Sequence, residues 1–211
     1  MRPRGRPTEP AISRTAVVNE ALAIVDEEGI DALSMRSIAR RLGVQAPSLY
    51  NHFSGKEDIL DALALRILEG LQARKAENEP WQDWFAHAMI GYRNLLTKHP
   101  NAVPLMTRVP LASYISDATF KHAVEAMEGD GVPPALMLTI AEAAESMVLG
   151  WVLFSTQRDS VTRPDRGPQR KLLTDTNTLD EDRRFEHACY ALVNGFLASM
   201  MFRGPRSPST N

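Results

Sequence analysis

A single cysteine, Cys189, leaves the 211-residue chain without an internal disulfide and without a CxxC pair for metal or redox work, a usage that suits a reducing cytoplasm. Strand signals are equally scarce: there is no sustained period-two alternation and no Asn-Gly or Asp-Gly hairpin between β-branched runs. No GxGxxG follows a strand, and Walker, GxSxG and HExxH motifs are missing, so nothing marks the chain as an enzyme. His52, His87, His99, His122 and His187 have no paired short spacing, and neither a metal nor a cofactor is expected. The basic start MRPRGRPTEP leads into no apolar stretch of signal-peptide length, and no later run approaches the roughly 20 apolar residues that span a bilayer. The expectation is a cytoplasmic protein without membrane attachment.

What fills the chain is helical spacing. A first helix runs from a Ser13 cap to Glu28, with Gly29 placed for a left-handed C′ conformation. A second follows Ser34, its stripe of Met35, Ile38, Ala39 and Leu42 ending at Gly43. After a turn of about three residues, a third spans Ala46 to His52, with Pro47 tolerated in the first turn and Leu49 and Phe53 facing inward. The sequence SGKE reads as a capping box of Ser54 and Glu57, opening a fourth helix that reaches about Asn78. Further helices are placed at Trp81 to Lys98, Ser113 to Glu128, Ala135 to Thr156 and Leu179 to Arg203. The Ala135 to Thr156 helix is apolar nearly all round and is expected to be covered on every side. The fold class is therefore all-α. Residues 1–12 read as a flexible basic arm, 13–54 as a helix-turn-helix domain, 55–204 as a larger helical domain with a mobile loop at about 157–178, and 205–211 as a disordered tail.

The formal net charge of -2 argues against a protein that coats nucleic acid everywhere, but a total does not exclude a local patch. Arg36, Arg40, Arg41 and Lys56 fall in one run with no acidic residue between Ser34 and Lys56. Two short helices joined by a tight Gly-containing turn, the second exposed, make a helix-turn-helix whose second helix enters a major groove. Ala46, Pro47, Ser48, Tyr50, Asn51 and His52 then offer hydroxyls, an amide, an imidazole and small apolar surfaces to base edges, while Arg36 and Lys56 sit where phosphates or a base edge would be. The same arginines would also suit a solvated face of a helical core.

The full wording SMRSIARRLGVQAPSLYNHFSGKEDILDAL resembles the N-terminal domain of TetR-type transcriptional regulators, with Leu49, Tyr50, His52, Phe53 and Lys56 falling on the family's pattern from Val17 to Leu63. WQDWFAHAMIGYRNLLTKHP and MVLGWVLF resemble the regulatory domain of the tetracycline repressor branch. The resemblance implies a homodimer joined by a four-helix bundle, a palindromic operator in double-stranded DNA, and a small-molecule effector held between helices. Candidate contacts for that effector are Trp84, Met89, Tyr92, Met106, Met147, Trp151 and Phe154; as a group these aromatics and flexible methionines suit an adaptable apolar pocket. Met106 and Phe154 fall where that branch carries a metal-binding histidine and a drug-site glutamate, so the effector is expected to be apolar or aromatic and metal-free. The reading is a ligand-responsive repressor; the alternative is an all-helical small-molecule-binding protein or enzyme whose N-terminal helices do not read DNA.

Overall fold

The computed structural model of the chain describes residues 12–71, 75–108, 110–114, 117–160 and 180–202. Among these described residues there is no strand, and nine α-helices carry the fold: α1 Arg14–Glu28, α2 Met35–Leu42, α3 Ala46–Leu49, α4 Lys56–Leu68, α5 Trp81–Lys98, α6 Val103–Met106, α7 Asp117–Gly129, α8 Pro134–Ser160 and α9 Glu181–Phe202. The fold is all-α. The expected arm up to residue 11, the part of the expected loop from 161 on, and the tail lie outside the described residues.

The chain divides into two compact units, one built from the chain up to Glu69 together with His99–Val109, the other from Gly70–Lys98 together with the chain from Pro110 on. The sequence-based division placed α4 and the 99–109 segment with the larger domain; by packing they go with the first unit. In that unit Val17, Ala21 and Ile24 of α1 are buried with Ile38 of α2, Leu49, Phe53, and Ile59 and Leu63 of α4, each large aliphatic chain contributing about 1.5–3 kcal/mol by leaving water. The 99–108 segment is tied to the same core: His99 Nδ1 lies 2.9 Å from Asp26 Oδ2, and Asn101 Nδ2 donates to the Asp26 carbonyl at 2.8 Å.

The second unit is organised by α5, α8 and α9, with α7 against α8. Trp81, Trp84, Met127, Val132, Ile140 and Val193 form its buried cluster. Ile140, Ala144, Val148 and Val152 are buried at a spacing of four along α8, whereas Leu138 and Phe154 are each 66% exposed. Within one chain α8 is thus not covered all round, and its core row is Ile140, Ala144, Val148 and Val152. Pro134–Ser155 is also long and apolar enough to cross a membrane by length and composition, which corrects the expectation that no run approaches that length; its buried row marks it as the core helix of a globular unit.

Several element ends differ from expectation for local reasons. Gly29 has the positive φ of 85° but a ψ of 168°, turning the chain out of α1 and into the 3₁₀ turn Ile30–Ala32 instead of closing a left-handed cap. The SGKE box is shifted by one residue: Gly55 is the N-cap of α4, and Asp58, not Glu57, accepts the Ser54 amide at 2.9 Å. Glu57 is drawn instead to Arg108. Helix α4 ends at Leu68, not near Asn78, with Gly70 at φ 98° just beyond, so no continuous helix runs from Ser54 to the segment before Trp81. Helix α7 begins at Asp117, after a 3₁₀ turn Leu111–Ser113, and α8 continues four residues past Thr156.

Candidate nucleic-acid interface

Helix α2 is defined at both ends by its own side chains and backbone. The Ser34 hydroxyl accepts the Ser37 amide at 3.0 Å and the Ser37 hydroxyl accepts the Ser34 amide at 2.9 Å, a reciprocal cap in which serine stands in for the usual glutamate. At the other end Gly43 adopts φ 68°, ψ 30°, the Val44 amide returns to the Ala39 carbonyl at 3.0 Å, and the Gly43 amide to Arg40 at 3.3 Å. This closed left-handed stop reverses the chain directly into α3.

Helix α3 is short. Only Ala46–Leu49 is α-helical, and hydrogen-bonded turns carry the chain on through Tyr50 and His52 to Phe53, whose amide bonds the Leu49 carbonyl at 3.0 Å. Leu49 and Phe53 are the buried anchors, as their spacing predicts. Pro47, Tyr50 and Asn51 are exposed, with Tyr50 at 57%, while Ala46, Ser48 and His52 are half-buried. The structure therefore gathers the predicted base-reading residues in one turn-rich stretch. Arg36 lies in the first turn of α2 and Lys56 is the first residue of α4; both are exposed.

The basic residues of this region fall into two groups. Arg41 is engaged by acids of α1: it reaches Glu20, holds Glu27 at 2.7 Å, and lies 3.6 Å from Glu28. Hydrogen bonding to Arg41 in turn holds the Glu27 carboxyl below its ordinary range. By contrast, Arg36, Arg40 and Lys56 form no ion pair among the described residues, so their charge is available to an incoming anion.

One side chain that contacts this stretch is absent from the sequence reading. Arg14, in the first turn of α1, sends Nη1 to the His52 carbonyl and Nη2 to Asp58 Oδ1 at 2.7 Å, with its guanidinium carbon 4.1 Å from the Phe53 ring centroid. The Arg14 hydrogen bond, followed by the Ser54 amide, holds the Asp58 carboxyl low. The only sequence signal was a cation at a helix N-terminus, where an acid is favoured.

Residues 17–63 match the family of bacterial regulatory proteins, tetR family. Across a wider span the chain is 35% identical over 159 residues to an HTH-type transcriptional regulator of Saccharopolyspora erythraea, covering 74% of this chain and 64% of that one, so it spans a little under two thirds of that relative's length. It is 28% identical over 197 residues to tetracycline repressor protein class D of Escherichia coli, covering 88% of this chain and 89% of the relative. The chain is a TetR-type regulator. Its fold extends the match beyond the DNA-binding region: a TetR variant from Acinetobacter baumannii, solved in complex with minocycline, superposes with a TM-score of 0.71 at 25% identity over 89% of this chain and 98% of that one.

Six of the seven candidate effector residues of this TetR-type regulator lie in the second unit, in two sets. Trp84, Met89 and Tyr92 are buried along α5. Met147, Trp151 and Phe154 line a recess of about 300 Å³ on α8 together with Ser146, Gly150 and Ser155. Met106 belongs to the first unit, where it is buried at the end of α6. The Tyr92 hydroxyl is buried without a hydrogen-bond partner among the described residues, and burial, reinforced by the charge of Glu145, pushes it upward. Glu145 is itself raised by burial and accepts the Leu111 amide at 2.8 Å. Burial lifts the Cys189 thiol to about 12, leaving it unreactive.

Among the described residues no group of three His, Cys, Asp or Glu side chains is placed to hold an ion.

Proposed function

We propose that the protein is a cytoplasmic, dimeric repressor that binds an inverted-repeat operator and is released by a small apolar or aromatic effector. The observation that carries the DNA reading is the exposed Pro47, Tyr50 and Asn51 turn, flanked in the chain by Arg36, Arg40 and Lys56, cations with no ion pair among the described residues. Ser48 and Asn51, with Ala46 and Pro47, select bases; Tyr50, His52, Arg36 and Lys56 anchor phosphates. Two such turns in one dimer lie about 34 Å apart, one helical turn of DNA.

The effector reading is supported by the recess beside Met147, Trp151 and Phe154 and by the minocycline complex of the similar Acinetobacter baumannii protein. Trp84, Met89 and Tyr92, buried along α5 of the same unit, complete the proposed contacts. Selection of duplexes from a random pool, followed by footprinting, tests the DNA reading: an imperfect palindrome is expected to be protected. Binding that shows no sequence preference would refute it and favour the small-molecule-binding alternative. Release of the selected duplex by hydrophobic aromatic compounds, undiminished by a chelator, is the expected effector behaviour.

A further inference from the structure

We propose that Arg14 is a positioning residue for DNA reading: its guanidinium fixes the exit of α3 against the start of α4, and so sets the angle at which Ala46–His52 meets the groove. The inference rests on the DNA-reading role of that stretch.

A helix of four residues does not hold its own direction, because helix formation is cooperative and short segments are marginal alone. Gln45, the N-cap of α3, makes no side-chain capping bond. Leu49 and Phe53 anchor the stretch in the core, which fixes its depth, and the backbone where it runs on into α4 needs a further hold. Arg14 supplies that hold. One arm of the guanidinium takes the His52 carbonyl, the other takes Asp58, and its face lies over the ring of Phe53. The second Asp58 oxygen takes the Ser54 amide. Of the four residues between Asn51 and α4, His52, Phe53 and Ser54 are thus gripped by one side chain and its carboxylate partner.

Two further features separate this role from general stability or a phosphate contact. A cation in the first turn runs against the macrodipole of α1, and α1 carries no acid there to offset it, so the helix itself gains nothing from Arg14. Its donors are directed at protein acceptors, whereas Arg36, Arg40 and Lys56 form no ion pair among the described residues. A planar fork can serve the carbonyl, the carboxylate and the ring at once, and an ammonium cannot.

The test uses the full chain, a duplex selected from a random pool by the wild type, and a scrambled duplex of equal length. In Arg14→Ala, Arg14→Lys and Asp58→Ala, affinity for the selected duplex is expected to fall by about tenfold or more, the scale of a mismatched base pair. Affinity for the scrambled duplex and its salt slope should stay as in the wild type. Wild-type behaviour of Arg14→Lys overturns the proposal, since charge alone then suffices. Equal losses on both duplexes with a slope lower by about 0.9 overturn it in favour of a phosphate contact. Recovery of full preference on cooling below a lowered melting midpoint overturns it in favour of plain stabilisation. A wild type that prefers neither duplex would instead overturn the DNA reading on which the inference rests.

Discussion

Trp151 of α8 meets Phe185 of α9 edge to face, with ring centroids 5.1 Å apart and planes at 67°, and the Arg93 guanidinium lies over the same Phe185 ring at 5.6 Å. Trp151 therefore has two roles, lining the recess and joining two helices. Trp151→Ala is expected to lower stability by about 2–4 kcal/mol through lost packing, and Trp151→Phe by less than about 1.5 kcal/mol because an edge contact can persist. Urea denaturation of the full chain checks both. Loss of effector response in Trp151→Ala is then not diagnostic of the pocket, whereas Met147→Ala tests it without removing the ring pair.

Arg93 is nearly buried and reaches Asp182 at 2.5 Å and Glu181 at 3.5 Å. Its partners are more exposed, so deleting Arg93 leaves carboxylates that water can still solvate. Arg93→Ala is expected to cost about 1–3 kcal/mol, and Arg93→Met to recover part of that by keeping the stem against Phe185. Glu181 is held low, first by the Ser155 hydroxyl and then by Arg93. Its contribution is present above its ordinary value of 4.5 and disappears as pH falls through the lowered one. Glu181→Gln should accordingly lose stability relative to wild type at pH 7 and converge with it in acid.

The elements read well from sequence wherever an apolar stripe has a definite phase. Leu49 and Phe53 were legible as inward anchors, and Ile38 and Ala39 as the core of α2, because polar neighbours leave one face to bury. On α8 apolar residues occur all round, so periodicity could not show that Val148 and Val152 join Ile140 in the core while Phe154 faces outward. The SGKE misreading was one residue of register: Glu57 and Asp58 both supply a carboxylate, and only the pull of Arg108 on one and Arg14 on the other sorts them. Arg14 was invisible as a site residue because its partners lie 38 and 44 positions away. The difference between Arg41 and Arg40 was hidden for the same reason, since Glu27 is 14 positions from Arg41.

That difference predicts unlike behaviour from adjacent arginines. Lys56→Ala and Arg40→Ala should weaken binding to all duplexes alike, each reducing the salt slope by about 0.9 if it meets a phosphate. Arg41→Ala should leave the slope unchanged, because its charge is spent on Glu20 and Glu27. Asn51→Ala should relax preference at particular base positions by about 1–3 kcal/mol. Titrations at several salt concentrations with selected and scrambled duplexes separate the three patterns.

Glu145 supplies a pH dependence of opposite sign to Glu181. Burial raises its carboxyl above the ordinary 4.5, the Leu111 amide only partly opposing this. The folded state then holds this proton more tightly than the unfolded chain, so its contribution is fully favourable below 4.5 and is lost as pH rises through the raised value. Glu145→Gln, whose side-chain oxygen can still accept from Leu111, should raise the urea midpoint at pH 7 and show no gain near pH 4. An equal gain at both values would mean that packing, not ionisation, sets the difference.

We place the contact of the proposed dimer on α8 and α9, which gives the most direct test of assembly. Leu138 and Phe154 on α8 are exposed apolar side chains, and on α9 Ala191, Gly195 and Ala198 are exposed at spacings of four and three, which puts them on one side of that helix. Small residues there would let a second pair of helices approach closely in the proposed dimer, and a self-complementary contact of this kind is what two-fold symmetry requires. Ala198→Arg places a long charged chain in the middle of that approach without touching a buried position. Sedimentation should then give a species of 23.4 kDa in place of one twice as heavy, with helical content unchanged. Because one half-site contact no longer raises the effective concentration of the other, affinity for the selected palindrome should fall by about 100-fold or more, while a single half-site binds as before. Glu77→Gln makes the same change of charge at an exposed position before α5 and should leave both mass and affinity as in the wild type. A dimer that persists in Ala198→Arg would place the contact on another face.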